Sequence, residues 1–130
     1  MASTGASIPA ILCIGEDMEL LETRSAVLRK TGAEVKCLTS AQARETDDLS
    51  AFDLIVLCHT MEEPEARRIA DDAGRLQPAP LILLLNSLSA RGQDRSGIRF
   101  DAVAEVIPEL LVRTATELLS RRSGASRLRS

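Results

Sequence analysis

At 130 residues, with 45% hydrophobic and 27% charged content, the chain has the makeup of one globular domain, which excludes a disordered or fibrous protein. Aromatic content is only 2%, with Phe52 and Phe100 and neither Trp nor Tyr, so the core must be aliphatic and bases find almost nothing to stack on. A net charge of −3 argues against polyanion binding, and no apolar run approaches the ~20 residues of a bilayer span. The segment Met1–Pro9 lacks the cationic start of a targeting sequence, and the chain reads as cytoplasmic, with no nucleic-acid or membrane partner.

The first apolar run, Ala10–Ile14, reads as a strand. Asp17 then opens a helix that extends to Thr31, turns Leu20, Leu21, Val27 and Leu28 inward and stops at Gly32. A second strand, Glu34–Leu38, leads to Thr39, and Gln42 three residues on completes a capping-box spacing for a short helix that fades within Glu45–Asp48. Leu54–Cys58 is the third strand. The helix after it has Pro64 in its first turn and Glu62, Glu63 and Glu65 at its positive end. Ala66, Ile69, Ala70 and Ala73 share one face of that helix, and Gly74 and Pro78 end it. Leu81–Leu85 is the fourth strand; Ser87–Arg99 is polar and holds Gly92 and Gly97, leaving room only for a short or irregular helix. Ala102–Ile107 is the fifth strand. Pro108 opens a last helix with Leu111, Ala115, Leu118 and Leu119 on one face, followed by a flexible basic tail, 122–130.

Strand alternating with helix is the mark of βαβ crossovers, and near-continuous apolar runs are what a parallel sheet covered on both faces requires. The expected fold is α/β: a flavodoxin-like, doubly wound, five-stranded parallel sheet in the order 2-1-3-4-5, in three α/β/α layers over residues 8–121. Ligands in such sheets sit at the carboxyl ends of the strands, which directs attention to Gly15, Glu16, Asp17, Cys58, the segment Leu85–Ser87 and Ile107.

The sequence resembles the receiver domain of bacterial response regulators. Ile11-Leu12-Cys13-Ile14-Gly15-Glu16-Asp17 matches that family's first strand ending in acids, and Phe52-Asp53-Leu54-Ile55-Val56-Leu57-Cys58 matches its third strand. Pro80 with Leu81–Leu85 matches the fourth, and Ile107-Pro108 stands where the family has Lys-Pro. The resemblance implies phosphoryl transfer to an aspartate beside Mg²⁺, assisted by a hydroxyl residue and a lysine. This chain departs from each requirement. Gly15 replaces one of the metal-binding acids beside Glu16, and Cys58 replaces the acceptor aspartate; a thiol forms no acyl phosphate and suits a hard cation poorly. The hydroxyl position falls on Leu85, Asn86 or Ser87, and only Ser87 would restore an OH. Lys30 and Lys36 are the only lysines, and both precede the third strand.

Other chemistries find little support. The sole histidine, His59, follows Cys58, yet adjacent strand residues point to opposite faces, and with Glu16 and Cys58 it forms no spaced metal motif. Neither G-x-G-x-x-G nor a Walker sequence is present, and no nucleophile elbow accompanies the histidine. Cys13, Cys37 and Cys58 are odd in number without C-x-x-C spacing, so they read as reduced thiols. The expectation is a degenerate receiver, not an enzyme, that uses no cofactor or metal and signals by protein contact. The partner is another protein or a second copy, engaged through the last strand and helix, where Leu110 and Val112 lie outside the core stripe. The alternatives are a thiol-based redox sensor or enzyme built on Cys58 and a structural dimerisation module.

Overall fold

The computed structural model describes residues 8–45, 49–58, 61–76, 79–86 and 98–129. Among these residues there are five strands and four α-helices, strand and helix alternating up to β4: β1 (Ala10–Ile14), α1 (Met18–Leu28), β2 (Glu34–Leu38), α2 (Ser40–Arg44), β3 (Leu54–Leu57), α3 (Glu63–Gly74), β4 (Leu81–Asn86), β5 (Ala102–Glu105) and α4 (Pro108–Arg129). The strands form one sheet in the order β2-β1-β3-β4-β5, parallel at every ladder.

The apolar runs are continuous because the sheet has no wet face. Ile11 and Cys13, Leu54 and Val56, and Leu83 and Leu85 turn to one side, where Leu21 and Leu28 of α1 and Leu111, Ala115 and Leu118 of α4 cover them. Leu12 and Ile14, Ile55 and Leu57, and Ile82 and Leu84 turn to the other, beneath Ala43 of α2 and Ala66, Ile69, Ala70 and Ala73 of α3. The small residues of α3 let that helix lie close to the sheet, and the period of two along each strand sends neighbours into different cores.

Helix boundaries follow from side-chain chemistry. Asp17 Oδ1 accepts from the backbone N–H groups of Glu19 and Leu20, satisfying two of the donors left open at the start of α1. Thr39 and Gln42 form the reciprocal capping box at α2. After Leu28 the chain tightens into a 3₁₀ turn, Arg29–Thr31, and Gly32 closes it at φ 91°, a left-handed conformation that costs glycine nothing. Two aspartates lock the amino end of the sheet in the same way. Asp53 donates its N–H to Ala10 O (2.8 Å) and accepts Ala10 N–H on its carboxylate (2.9 Å). Asp101 repeats the exchange with Ile82, at 2.9 and 2.8 Å.

The expected fold is observed, with local differences. The inward row of α1 is Leu21, Arg24, Ser25 and Leu28, at i, i+3, i+4, i+7 spacing, which leaves Leu20 and Val27 only half-buried at its margins. The third strand stops at Leu57 and the fifth at Glu105, while the fourth runs on to Asn86. Residues 122–129 continue α4 instead of forming a separate tail. Arg, Ala and Leu favour helix there, and the single Gly124 costs about 1 kcal/mol, less than a proline would. The expectations for Ser87–Gly97 and His59 lie outside the described residues.

Candidate functional site

Topology brings Gly15, Glu16, Asp17, Cys58 and Ile107 to the carboxyl end of the sheet, but their side chains are committed to separate tasks. Asp17 caps α1. The Glu16 carboxylate accepts the Ser40 hydroxyl at 2.6 Å and the Ser40 N–H at 3.2 Å, so it anchors the start of α2 to the exit of β1 across 24 residues. Gly15 is buried and donates its N–H to Leu38 O. Ile107 is 44% exposed and presents only hydrocarbon where the resemblance implies an ammonium. Ser87, the one candidate hydroxyl, lies outside the described residues, and Leu85 is wholly buried.

Cys58 is also withdrawn from solvent. Its backbone N–H continues the β1–β3 pairing by donating to Ile14 O, and its side chain is 0% exposed in the core beneath α1 and α4. The thiol proposed for reactivity from the sequence is thus sealed inside the domain. Among the described residues no group of three His, Cys, Asp or Glu side chains is arranged to hold a metal ion. A Mg²⁺ site needs several oxygen ligands in near-octahedral array, and the two acids nearest the position are both occupied as helix anchors.

No family model matches the chain, and no curated protein matches it in sequence. Solved structures do. A CheY-like response regulator receiver domain protein from Methanospirillum hungatei superposes with a TM-score of 0.71 at 20% identity, over 92% of this chain and 99% of that one. The signal receiver domain of a protein assigned as a LuxO repressor, from Vibrio parahaemolyticus, gives 0.77 at 11% identity, over 95% and 99%. A protein assigned to pilus assembly in Burkholderia thailandensis gives 0.67 at 25% identity, over 87% and 99%. This chain has the receiver fold.

Two features of this receiver fold escaped the sequence. The first is a row of sulfurs. Cys13 and Cys37 are direct partners in the β1–β2 ladder, and Cys58 Sγ lies 3.7 Å from Cys13 Sγ on the other side. All three sit on the α1/α4 side of the sheet. The Cys37 and Cys58 sulfurs on either side of Cys13, together with its burial, raise its pKa well above the ordinary thiol range. Cys58 is lowered by the bond from Cys13, and the guanidinium of Arg24 adds to the effect against burial. Cys37 is lowered to about 6, first by the neighbouring Cys13 thiol and then by Ser25 and Arg29, with burial opposing. The signal was present in principle, since each cysteine lies at or just past the carboxyl half of an apolar run, but only strand register reveals that they are neighbours.

The second is the distribution of exposed hydrocarbon. Six large apolar residues are exposed among the described residues, and four of them, Phe100, Val103, Ile107 and Leu110, lie in or beside β5 and the first turn of α4. Of the two interface candidates, Leu110 faces solvent and Val112 is half-buried.

Proposed function

We propose that the domain is a two-component-type signalling receiver that has abandoned phosphoryl transfer and works by protein contact through β5 and the start of α4. The observation that supports this reading best is the contrast within one fold: Cys58 is buried and Glu16 and Asp17 are spent on helix caps, whereas Phe100, Val103, Ile107 and Leu110 remain exposed. Exposed hydrocarbon along an edge strand and at the start of the helix after it suits burial by a partner, and an edge strand has backbone groups to offer as well. The contact needs neither an acceptor carboxylate nor a metal, so it persists when both are absent.

The test has two arms. Incubation with a small-molecule phosphodonor and Mg²⁺ is expected to leave the intact mass unchanged, and a phosphoryl adduct on a carboxylate at the carboxyl end of the sheet would overturn the first half. Leu110→Glu is expected to abolish self-association or partner capture while the fold persists; unchanged association would move the interface elsewhere. A narrower version of the reading comes from the Burkholderia thailandensis protein assigned to pilus assembly, aligned over 99% of its length. It makes the partner a component of a pilus assembly apparatus, and capture of such a component by the wild-type chain but not by Leu110→Glu is the result that would support it.

A further inference from the structure

Three neighbouring thiols, on β2, on β1 and just past the end of β3, differ in access. Cys13 and Cys58 are 0% exposed, whereas Cys37, on the edge strand, is half-buried and opens on a cleft of about 410 Å³ lined by Glu22, Ser25, Arg29, Val35 and Cys37 itself. The arrangement gives one thiol a route to solvent and places a second, sheltered thiol directly behind it in the ladder. We propose that Cys37 is a modification site for hydroperoxides, with Cys13 as the thiol that resolves the oxidised sulfur into a disulfide between β1 and β2. This inference is independent of the contact surface on β5.

The chemistry balances in two steps. The Cys37 thiolate attacks the distal oxygen of the hydroperoxide; the O–O bond breaks, an S–O bond forms, and the alkoxide or hydroxide leaves and takes a proton from water. Cys37 is now a sulfenic acid, oxidised by two electrons, and the peroxide is reduced by the same two. The Cys13 thiol, as thiolate, then attacks the Cys37 sulfur; the S–O bond breaks, an S–S bond forms, and water leaves with the proton that Cys13 gave up.

The surroundings place the first oxidation at Cys37 and make the attack by Cys13 the slower step. Arg29 beside Cys37 favours its thiolate and offers a positive charge to the departing oxyanion. When protonated, Cys37 donates to the Leu21 carbonyl at 3.5 Å, a long contact that holds the thiol at the mouth of the cleft. Partners in adjacent parallel strands stand about 4.8 Å apart at their Cα atoms, inside the range that a disulfide spans. The high pKa of Cys13 keeps it a poor first target, so oxidation begins at Cys37. Cys58, 3.7 Å from Cys13, is a rival resolving partner only for an oxidised Cys13.

The test treats the full chain with hydrogen peroxide, alkylates the remaining thiols under denaturing conditions and maps the peptides by mass spectrometry. The wild type is expected to lose two free thiols and to yield a Cys37–Cys13 linked peptide, at a rate about two- to threefold above that of an ordinary exposed thiol at neutral pH. In Cys13→Ser, and in Cys13→Ala should the serine variant unfold, Cys37 is expected to give a dimedone-trapped sulfenic acid and no internal link. Cys58→Ser is expected to behave as wild type, and Cys37→Ser to leave Cys13 and Cys58 reduced. Arg29→Gln is expected to slow the first step severalfold without changing the product. Retention of all three thiols in the wild type, equal oxidation of Cys13 in Cys37→Ser, or Cys37 joined only to a second chain would each overturn the proposal.

Discussion

The two open edges of the sheet are built differently. At the β2 edge Glu34 and Lys36 are exposed and alternate with half-buried residues, so a strand approaching from outside meets charge. At the β5 edge Val103 is 42% exposed, with Phe100 before it and Ile107 and Leu110 after it. Charged side chains on an edge, lysine above all, are a recognised defence against unwanted pairing. The β2 strand carries this defence as two exposed charges, whereas β5 carries one charge, the half-buried Glu105, beside an exposed valine. The difference is one of degree, and it is the feature on which the proposed contact through β5 depends.

The sharpest way to break this comparison uses two neighbours on α4. Leu111 is 1% exposed, and Leu111→Ala is expected to cost about 2–5 kcal/mol in urea unfolding, as for other buried leucines. Leu110 is 37% exposed, and Leu110→Ala is expected to stay within about 0.5 kcal/mol of wild type while weakening association about tenfold or more. Equal stability losses in the two variants would mean that Leu110 serves the core. A transplant of the β2 rule onto β5 comes next: Val103→Lys is expected to remove association measured by light scattering with little change in unfolding. The reciprocal Lys36→Val is expected to make the β2 side sticky, visible as concentration-dependent scattering.

A smaller effect is expected at the carboxyl end of the sheet. Glu16→Ala and Asp17→Ala should each cost about 1 kcal/mol through the loss of helix-cap bonds. In the wild type, Mg²⁺ at about 1 mM should leave the amide resonances of Gly15, Glu16, Asp17 and Cys58 unmoved. Saturable shifts confined to those residues would show that the acids are available to a cation after all. The smallest change concerns the guarded edge itself and involves no mutation. Because the Cys37 pKa is lowered to about 6, its thiolate prevails above that pH and is lost as pH falls through it. Alkylation of Cys37 by iodoacetamide should therefore climb from about pH 5 and level off near pH 7, whereas an ordinary thiol keeps accelerating to about pH 9. Arg29 favours this behaviour and Glu22 opposes it, so Glu22→Gln should move the midpoint lower.

Much of the fold was legible because its signals are local. The continuous runs at β1, β3 and β4 report burial on both faces, Asp17 and Thr39 announce helix starts, and Gly32 marks the left-handed stop. The Ala-Ile-Ala-Ala row of α3 faces the sheet as its spacing requires. The site was legible only as a set of losses. That Cys58 points into the core and not into a cleft depends on where β3 ends, a boundary that periodicity leaves uncertain by a residue or two. The Glu16–Ser40 anchor and the sulfur row join residues far apart in the chain, so they appear only once the strands are paired. Arg24 and Ser25 escaped because a polar residue on a helix reads as solvated, although both lie under the α1 face of the sheet.

The all-parallel sheet has a consequence for how the chain reaches its native state. A parallel pair has no hairpin to start it, and the β1–β3 ladder waits until Ile11 meets Leu54, across a crossover that contains β2 and α2. Until β3 is in place, the run Leu81-Ile82-Leu83-Leu84-Leu85 of β4 has neither of its neighbours and carries no charge. Such a segment is the kind that pairs with copies of itself. Pro80 at its start and Asp101, whose carboxylate takes the Ile82 N–H, bear on this stage as well as on the finished sheet: the first interrupts the run, and the second pairs the start of β5 with β4. Slowing the closure of β1 on β3 would lower the yield of folded protein even where the final stability is unchanged.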